Sequence, residues 1–174
     1  NYLELIKKAR TLLNEEKYDE SNLLIEEIIS GSEKNNEAIE ILIKNKIGLN
    51  QLDEAKNIID SLEKDILNDA HIKSAIDTYK LFEKSKTNKS LEELTSEIEK
   101  NPNNIEANKD LSDYYFSIKK YDQAFELLLN LFAKSKKENK ENIKKILFNY
   151  FQILGNSHSQ TKEARRKLSS IIFS

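Results

Sequence analysis

Residues Lys119–Leu128 read KKYDQAFELL, and related segments occur twice earlier in the chain at a nearly fixed interval. Each segment has an aromatic or leucine residue, then an acid, and a small residue two positions after the acid. The first two copies, Tyr18–Ser21 and Leu52–Ala55, lie 34 residues apart, and Tyr121–Ala124 follows 69 residues after the second. A period of this length is typical of arrays of stacked structural units.

The composition favours helix along the whole chain. Its 174 residues include only 3 Gly and 1 Pro, whereas Leu, Ile, Lys and Glu are abundant. Leu, Lys and Glu are good helix formers, and few residues remain for the turns of a β-sheet protein. We therefore predict an all-α fold.

Apolar residues recur at i, i+3, i+4 and i+7, which indicates amphipathic helices that each bury one stripe. A capping box of Ser90 and Glu93 is expected to open one helix, Pro102 to follow its end, and Gly155 to terminate another. The predicted breaks between helices lie at 14–17, 48–51, 86–89, 101–103 and 155–157. We predict about ten helices in about five antiparallel hairpins that stack as a solenoid, because no single hairpin can bury its own apolar face.

The best copy of the repeated segment resembles the tetratricopeptide repeat in its large and small positions, which are Leu111, Tyr115, Ala124 and Leu128. Ser112 stands where that repeat prefers glycine. The small residues Ser21, Ala55 and Ala124 are expected to let backbones approach where the second helix of a hairpin crosses its neighbours. We predict two helix pairs over 1–68, an irregular third pair over 69–103, and a repeat with a final helix pair over 104–174, all in one continuous solenoid domain.

The residue types used for catalysis and metal binding do not form a recognisable site. His71 and His158 are 87 residues apart, and neither lies at the spacing of a metal-binding motif. The chain has no Cys, which excludes disulfides and thiolate chemistry within it. We interpret both histidines as surface or helix-cap residues, and we predict no enzyme activity and no cofactor or metal.

Charge is unevenly distributed although the whole chain carries a formal charge of only −2 at pH 7. Residues 134–174 contain ten Lys or Arg against three Asp or Glu, about +7, so the rest carries about −9. We predict that this basic end contacts an acidic protein surface, with a solvated Lys-rich cap as the alternative. Nucleic acid is not expected, because no exposed aromatic residues alternate with the basic ones. No run of 18 apolar residues is present, so no membrane span is predicted.

The last predicted helix is more apolar at its end than one buried stripe requires. Ala164, Leu168, Ile171 and Ile172 fall at i, i+4, i+7 and i+8, and Phe173 follows them. Arg165, Arg166 and Lys167 can supply the polar outer face that a terminal repeat needs. Two explanations remain open for the excess: packing against the helix that contains Tyr150, or docking of Phe173 on a partner.

The C-terminal part of the chain also resembles a particular family, the tetratricopeptide region of bacterial thioredoxin-like chaperones, or chaperedoxins. Order and spacing agree over about 70 residues, although the turn after Gly155 lacks the proline usual in that family. The residues that carry the resemblance are Asn101-Pro102, Ala107, Tyr121 to Ala124, Leu154-Gly155, Arg165-Arg166, Leu168 and Phe173.

This resemblance implies a bacterial, cytoplasmic protein whose thioredoxin-like domain lies upstream of Asn1. It also implies a holdase function, in which the repeat region binds unfolded client proteins and the last helix docks on the GroEL chaperonin. The residues that the resemblance assigns to chaperonin docking are Arg165, Arg166, Leu168, Ile171, Ile172 and Phe173.

Two other functions remain open at this point. An adaptor that clamps the C-terminal carboxylate of a peptide would place basic or amide side chains at matching positions of successive first helices. Those positions hold Arg10, Lys44 and Asp113, and the acid at the third interrupts the series. The other possibility is a structural or dimerisation arm.

Overall fold

A computed structural model describes residues 1–31, 35–86 and 89–174 of the chain. Within these ranges the secondary structure consists of ten α-helices and one 3₁₀ helix, Lys64–Ile66, without a β-strand. The all-α, tetratricopeptide-like prediction is confirmed, as is the number of helices. The α-helices are α1 (Tyr2–Asn14), α2 (Tyr18–Ile29), α3 (Asn36–Gly48), α4 (Leu52–Asp60), α5 (Ala70–Lys86), α6 (Leu91–Lys100), α7 (Ile105–Ser117), α8 (Tyr121–Lys134), α9 (Lys137–Leu154) and α10 (Ser159–Ile172).

The chain divides into two compact units, which we call the N-terminal unit (Asn1–Glu83) and the C-terminal unit (Lys84–Ser174). The N-terminal unit contains the hairpins α1/α2 and α3/α4 and most of α5, and the C-terminal unit contains α6 and the hairpins α7/α8 and α9/α10. The predicted third pair, residues 69–103, corresponds to α5 and α6. How the helix pairs group into domains stays a prediction.

Local sequence signals place several helix ends. The Ser90 hydroxyl accepts a hydrogen bond from the Glu93 amide, and the Glu93 carboxylate accepts one from the Ser90 amide, so the predicted capping box opens α6. Pro102 follows the end of α6 at Lys100, and Gly155, with a φ of 89°, follows the end of α9. The predicted break at 86–89 lies partly outside the described residues.

The three repeated turns share a backbone feature that sequence reasoning did not anticipate. Glu16, Asn50 and Lys119 all have positive φ angles, of 62°, 60° and 64°. Each lies two residues before the first residue of a repeated segment. The left-handed conformation ends the first helix of a hairpin and is usually taken by glycine. The repeat therefore recurs in backbone conformation as well as in side-chain type.

The small residues of the repeated segments are fully buried, as their expected role at helix crossings requires: Ser21, Ala55 and Ala124 are all inaccessible to solvent. In the first hairpin the Ser21 hydroxyl donates to the Ala9 carbonyl oxygen at 2.8 Å. In the α7/α8 hairpin the direction is reversed, because Ser112 on the first helix donates to the Ala124 carbonyl oxygen at 3.4 Å. Serine is thus accommodated on either side of the crossing.

Each unit has its own core. In the N-terminal unit, one cluster of isoleucines and alanines joins α1, α2 and α3, and a second joins α3, α4 and α5. The C-terminal unit relies on aromatic rings. Phe116 stacks on Tyr150 at 4.5 Å between centroids, and Phe125 lies 5.5 Å from Phe151. This aromatic core fixes α7, α8 and α9, and α10 packs against α8 and α9.

Candidate functional site

Helix α10, which carries all but one of the predicted docking residues, is anchored by a narrow apolar stripe. Its N-cap is His158, whose ring nitrogen Nδ1 accepts a hydrogen bond from the Gln160 amide at 3.1 Å. Burial lowers the pKa of His158 and so favours the neutral ring that can accept this bond. Thr161, Ala164 and Leu168 are buried and hold the helix against the rest of the C-terminal unit.

The two adjacent arginines have different surroundings. The Arg165 guanidinium lies over the Phe151 ring at 4.5 Å and also donates to the Asn156 side-chain oxygen at 2.9 Å. Arg166 instead donates two hydrogen bonds to Glu163, one turn earlier on the exposed face. Arg165 therefore helps to fix α10 in place, whereas Arg166 belongs to the outer surface of the helix.

The apolar end of α10 is only partly buried. Leu168 is buried in the unit and Ile171 is half-buried, but Ile172 is 47% exposed and Phe173 is 87% exposed. The Phe173 ring is thus not packed against α9. We call Ile172 and Phe173 the C-terminal tip. Among the residues predicted to dock on a partner, Ile172 and Phe173 are the exposed apolar ones.

A cleft that sequence reasoning missed lies between α8 and α10, beside this tip. It has a volume of about 340 Å³. We call it the α8–α10 cleft, and its lining residues are Glu126, Leu129, Asn130, Arg166, Lys167, Ser170 and Ile171. The sequence predicts Arg166 and Ile171 as partner-binding residues. It does not predict the lining residues on α8, because these meet α10 only through tertiary packing.

The positions projected for a carboxylate clamp are occupied by internal ion pairs. In the N-terminal unit, Arg10 Nη2 lies 2.6 Å from Glu40 Oε2, and Lys44 Nζ lies 2.7 Å from Glu40 Oε1. His71 Nδ1 is 2.7 Å from Glu40 Oε2, and Lys44 also donates to the Ser74 hydroxyl. Glu40 and Lys44 are both buried. Arg10 and Lys44 therefore neutralise a carboxylate of the chain itself.

The pKa values of this cluster follow from its composition: Lys44 and Arg10 flank the buried Glu40, and Arg10 also pairs with Glu37 at 2.7 Å. Burial opposes the charge of Glu40, but Lys44 and Arg10 outweigh it and lower the pKa of Glu40 to about 2. Burial, together with repulsion from Arg10, lowers the pKa of Lys44 although Glu40 acts against this shift. The carboxylate is thus ionised across the physiological range and accepts all three hydrogen bonds.

Asp113, at the third clamp position, is engaged within the C-terminal unit. Its Oδ1 accepts a 2.6 Å hydrogen bond from the Tyr150 hydroxyl, and its Oδ2 lies 2.8 Å from Lys109 Nζ. Burial, and then the Asp113 charge, raises the pKa of Tyr150 well above its usual range. Asp113 is negatively charged and already paired within the unit, so it cannot bind a peptide carboxylate as a clamp residue would.

The two histidines lie in different units and have separate contacts. Across residues 1–31, 35–86 and 89–174, no cluster of three or more His, Cys, Asp or Glu side chains has the geometry to hold a metal ion. His71 contacts Glu40 and His158 caps α10, which are structural roles. Among the helices that the structure describes, none is both long and apolar enough to cross a membrane.

Comparison with solved structures returns helical proteins with low sequence identity. A domain of protein VP0806 of unknown function from Vibrio parahaemolyticus RIMD 2210633 is 22% identical, with a TM-score of 0.40 over 96% of this chain and 97% of that one. MamA AMB-1 is 14% identical with a TM-score of 0.42, covering 97% of both chains. MamA MSR-1 is 15% identical with a TM-score of 0.42, covering 99% of this chain and 97% of that one. No curated protein matches the chain.

A comparison with protein families gives a positive result for the part of the chain that holds α10 and its cleft. The family model described as tetratricopeptide repeat matches residues 84–173, nearly the whole C-terminal unit and more than half of the chain. Paired helices, buried small residues at the helix crossings and a recurring left-handed turn agree with this match. A fold of this type is typically a protein-interaction module rather than a catalyst. The chain belongs to the tetratricopeptide repeat family.

Proposed function

We propose that this chain is the non-enzymatic interaction module of a thioredoxin-like chaperone of the chaperedoxin type. In this proposal the repeats hold unfolded client proteins and the last helix docks on a GroEL-type chaperonin in the bacterial cytoplasm. The observation that carries the docking part is the exposure of the C-terminal tip, since Phe173 is 87% exposed at the end of a helix that is otherwise anchored.

An exposed aromatic ring on a fixed helix is suited to recognition. Aromatic side chains dominate the energetics of many interfaces because they bury a large area when a partner covers them. Leu168 is buried and Arg165 lies over Phe151, so the backbone that leads to the tip is held in place. Docking therefore requires little ordering of the helix itself, which reduces the entropic cost of binding.

The carboxylate clamp has less support than docking through the tip. Arg10 and Lys44 are both paired with Glu40, and Asp113 carries the wrong charge for a peptide carboxylate. A clamp at these positions would have to break buried ion pairs before binding its peptide, which is costly.

Interferometry with immobilised GroEL tests the docking proposal. We expect the intact chain to bind and the double variant Ile172→Ser/Phe173→Ser to lose most of the binding. Substitution is preferable to truncation before Leu168, because Leu168 is part of the core. A matched control is Leu3→Ser/Leu23→Ser, which removes two exposed apolar side chains, 62% and 69% accessible, from the N-terminal unit.

The results separate tip docking from nonspecific adhesion. Binding that is lost only in the tip variant supports the proposal, and equal loss in both variants would indicate general apolar contact and contradict it. Absence of binding by the folded, intact chain would also reject chaperonin docking. The holdase part is tested separately by asking whether the chain suppresses aggregation of a chemically unfolded protein when it is in molar excess.

A further inference from the structure

We propose that the α8–α10 cleft is a second docking site, which accepts an acidic peptide segment carrying one large apolar side chain. The inference rests on the chain being a protein-interaction module, but it is independent of whether the tip binds a chaperonin. The cleft and the tip are formed by different residues, so each can be altered while the other is kept.

The lining of the cleft combines apolar and polar side chains. Leu129 of α8 is buried and Ile171 of α10 is half-buried, and both line the cleft. The volume of about 340 Å³ is at the lower end of the range of about 300–1,000 Å³ found for ligand pockets. It suits one large side chain, and the exposed Asn130 and Ser170 can hydrogen-bond the peptide backbone beside it.

The margin contributed by α10 is basic. Arg166 and Lys167 both line the cleft and both lie near Glu163, at 2.8 Å and 3.9 Å. One carboxylate cannot neutralise two cations, and Arg166 has the shorter contact. Lys167 therefore has the more weakly compensated charge. Helix α10 as a whole has four basic residues and one acid, within the region of 134–174 that carries about +7.

The same charges argue against the C-terminal tip of a second copy of this chain as the occupant. The C-terminal tip is the obvious apolar group to insert, but Arg165, Arg166 and Lys167 precede it. Insertion of one tip into the cleft of another chain would bring like charges together, which is unfavourable at an interface. An acidic segment that carries one aromatic side chain complements the basic α10 margin of the cleft, and its aromatic ring can contact the apolar residues of the lining.

The α8 margin gives the site a direction. Glu126 is the one acid among the residues that line the cleft. It would repel the acids of a bound peptide, so these should lie toward α10 while the peptide is apolar or neutral beside α8. Glu126→Gln is consequently expected to strengthen binding, which a purely structural role for this exposed residue would not produce.

Fluorescence polarisation with a labelled peptide tests the proposal on the full chain. The probe is rich in Asp and Glu around a single Phe, and the comparison probes replace the Phe with Ser or the acids with Lys. We expect measurable, salt-sensitive binding of the first probe alone. Arg166→Glu/Lys167→Glu should weaken it by about tenfold or more, and Glu126→Gln should tighten it.

A matched control variant is Lys7→Glu/Lys8→Glu, which makes the same change in net charge on the exposed face of α1 in the N-terminal unit. If it weakens binding as much as the cleft variant does, attraction is nonspecific and the site is rejected. Equal binding of the Ser-containing probe would also overturn the proposal, because the apolar pocket would then be unused.

Two further outcomes decide against the site. Failure of the folded chain to bind the acidic probe rejects it directly. Concentration-dependent dimerisation in sedimentation, abolished by Ile172→Ser/Phe173→Ser, would show that a second copy occupies the cleft instead. Loss of chaperonin binding by the tip variant together with unchanged peptide binding would support two independent sites. Circular dichroism melting of every variant establishes that it is folded.

Discussion

The hydroxyl of Tyr150 on α9 donates a 2.6 Å hydrogen bond to the carboxylate of Asp113 on α7. Both residues are buried, and the Tyr150 ring is stacked on Phe116 of α7. The Tyr150 side chain thus contacts both the aromatic core of the C-terminal unit and the buried carboxylate of Asp113. This contact links two successive hairpins at a position where sequence reasoning placed only a possible clamp residue.

Replacement of Tyr150 by Phe should keep the aromatic stacking and remove the hydrogen bond. We expect a loss of about 2 kcal/mol in the free energy of unfolding, because Asp113 loses a buried donor. Urea denaturation measures this. Tyr114→Phe, a half-exposed tyrosine on α7, is the matched control and should change stability little. Equal losses in both variants would contradict the assigned role of the contact.

The raised pKa of Tyr150 also predicts a loss of stability in alkali. Since the folded pKa lies above the unfolded value of about 10, this contribution is fully present below about pH 10 and is lost as pH rises through the folded pKa. Denaturation at a series of alkaline pH values should therefore show a steeper decline in the wild type than in Tyr150→Phe. Parallel pH profiles would count against the prediction.

Glu40→Gln should be among the most destabilising polar substitutions in the N-terminal unit. It leaves the buried Lys44 without a carboxylate partner and Arg10 with Glu37 alone, and we expect a cost of about 3 kcal/mol or more. Lys44→Met should cost less than half as much, because Glu40 keeps Arg10 and methionine can replace the apolar stem of lysine. Thermal or urea unfolding of both variants measures the difference, and the reverse order would be inconsistent with this charge arrangement.

The lowered pKa of Glu40 predicts that the folded protein loses stability in acid. The pKa of Glu40 is lowered from 4.5 to about 2, which corresponds to about 3 kcal/mol of stability. This contribution is present above about pH 4.5 and is lost as pH falls through about 2. Unfolding measured between these values should show a decline in the wild type that Glu40→Gln lacks. An unchanged profile in the variant would exclude Glu40 as the source.

Gly48→Ala should reveal a close contact between hairpins of the N-terminal unit. A Cβ atom at this position would lie 2.5 Å from ring atoms of Tyr18, which is closer than two carbon atoms can approach. We expect a net loss of about 1–3 kcal/mol, despite the better helix propensity of alanine. In a Tyr18→Ala background the same substitution should become neutral or stabilising. A persistent loss in that background would place its cause elsewhere.

The recurring left-handed turn can be tested by introducing glycine. Lys119→Gly should stabilise the folded protein by about 1 kcal/mol, because a residue with a side chain is strained at its φ of 64°. Asn50→Gly is the matched comparison at the equivalent turn and should gain less, since asparagine tolerates this conformation. Melting temperatures of the two variants provide the measurement, and a larger gain for Asn50→Gly would refute the explanation.

The sequence predicts those parts of the fold that depend on neighbouring residues. The capping box at Ser90 and the glycine at 155 act within one turn of helix, so their spacing alone places the ends of α6 and α9. The 34-residue interval likewise identifies the helix crossings at Ser21 and Ala55, because equivalent positions of successive hairpins recur at this spacing. These signals are sufficient for the all-α fold and its hairpins.

Predictions that depend on tertiary partners are less complete. Arg10 and Lys44 were projected correctly onto successive first helices, but the projection did not include Glu40, one turn before Lys44 and directed at the same two cations. The α8–α10 cleft similarly arises where residues more than 30 positions apart meet. For α10, the sequence identifies an apolar end. Only the structure shows that Leu168 is buried whereas Ile172 and Phe173 are exposed.

The contacts of Glu40 have a consequence for how such a repeat array can evolve. The carboxylate on α3 receives a cation from α1 and a histidine from α5, so three consecutive first helices contribute to one charge cluster. A hairpin deleted or exchanged here would remove a partner of the buried Glu40 carboxylate or the carboxylate itself, which is a destabilising change. Repeat proteins are often regarded as freely recombinable modules, but in this unit the genetic order of the first hairpins is constrained by a single glutamate.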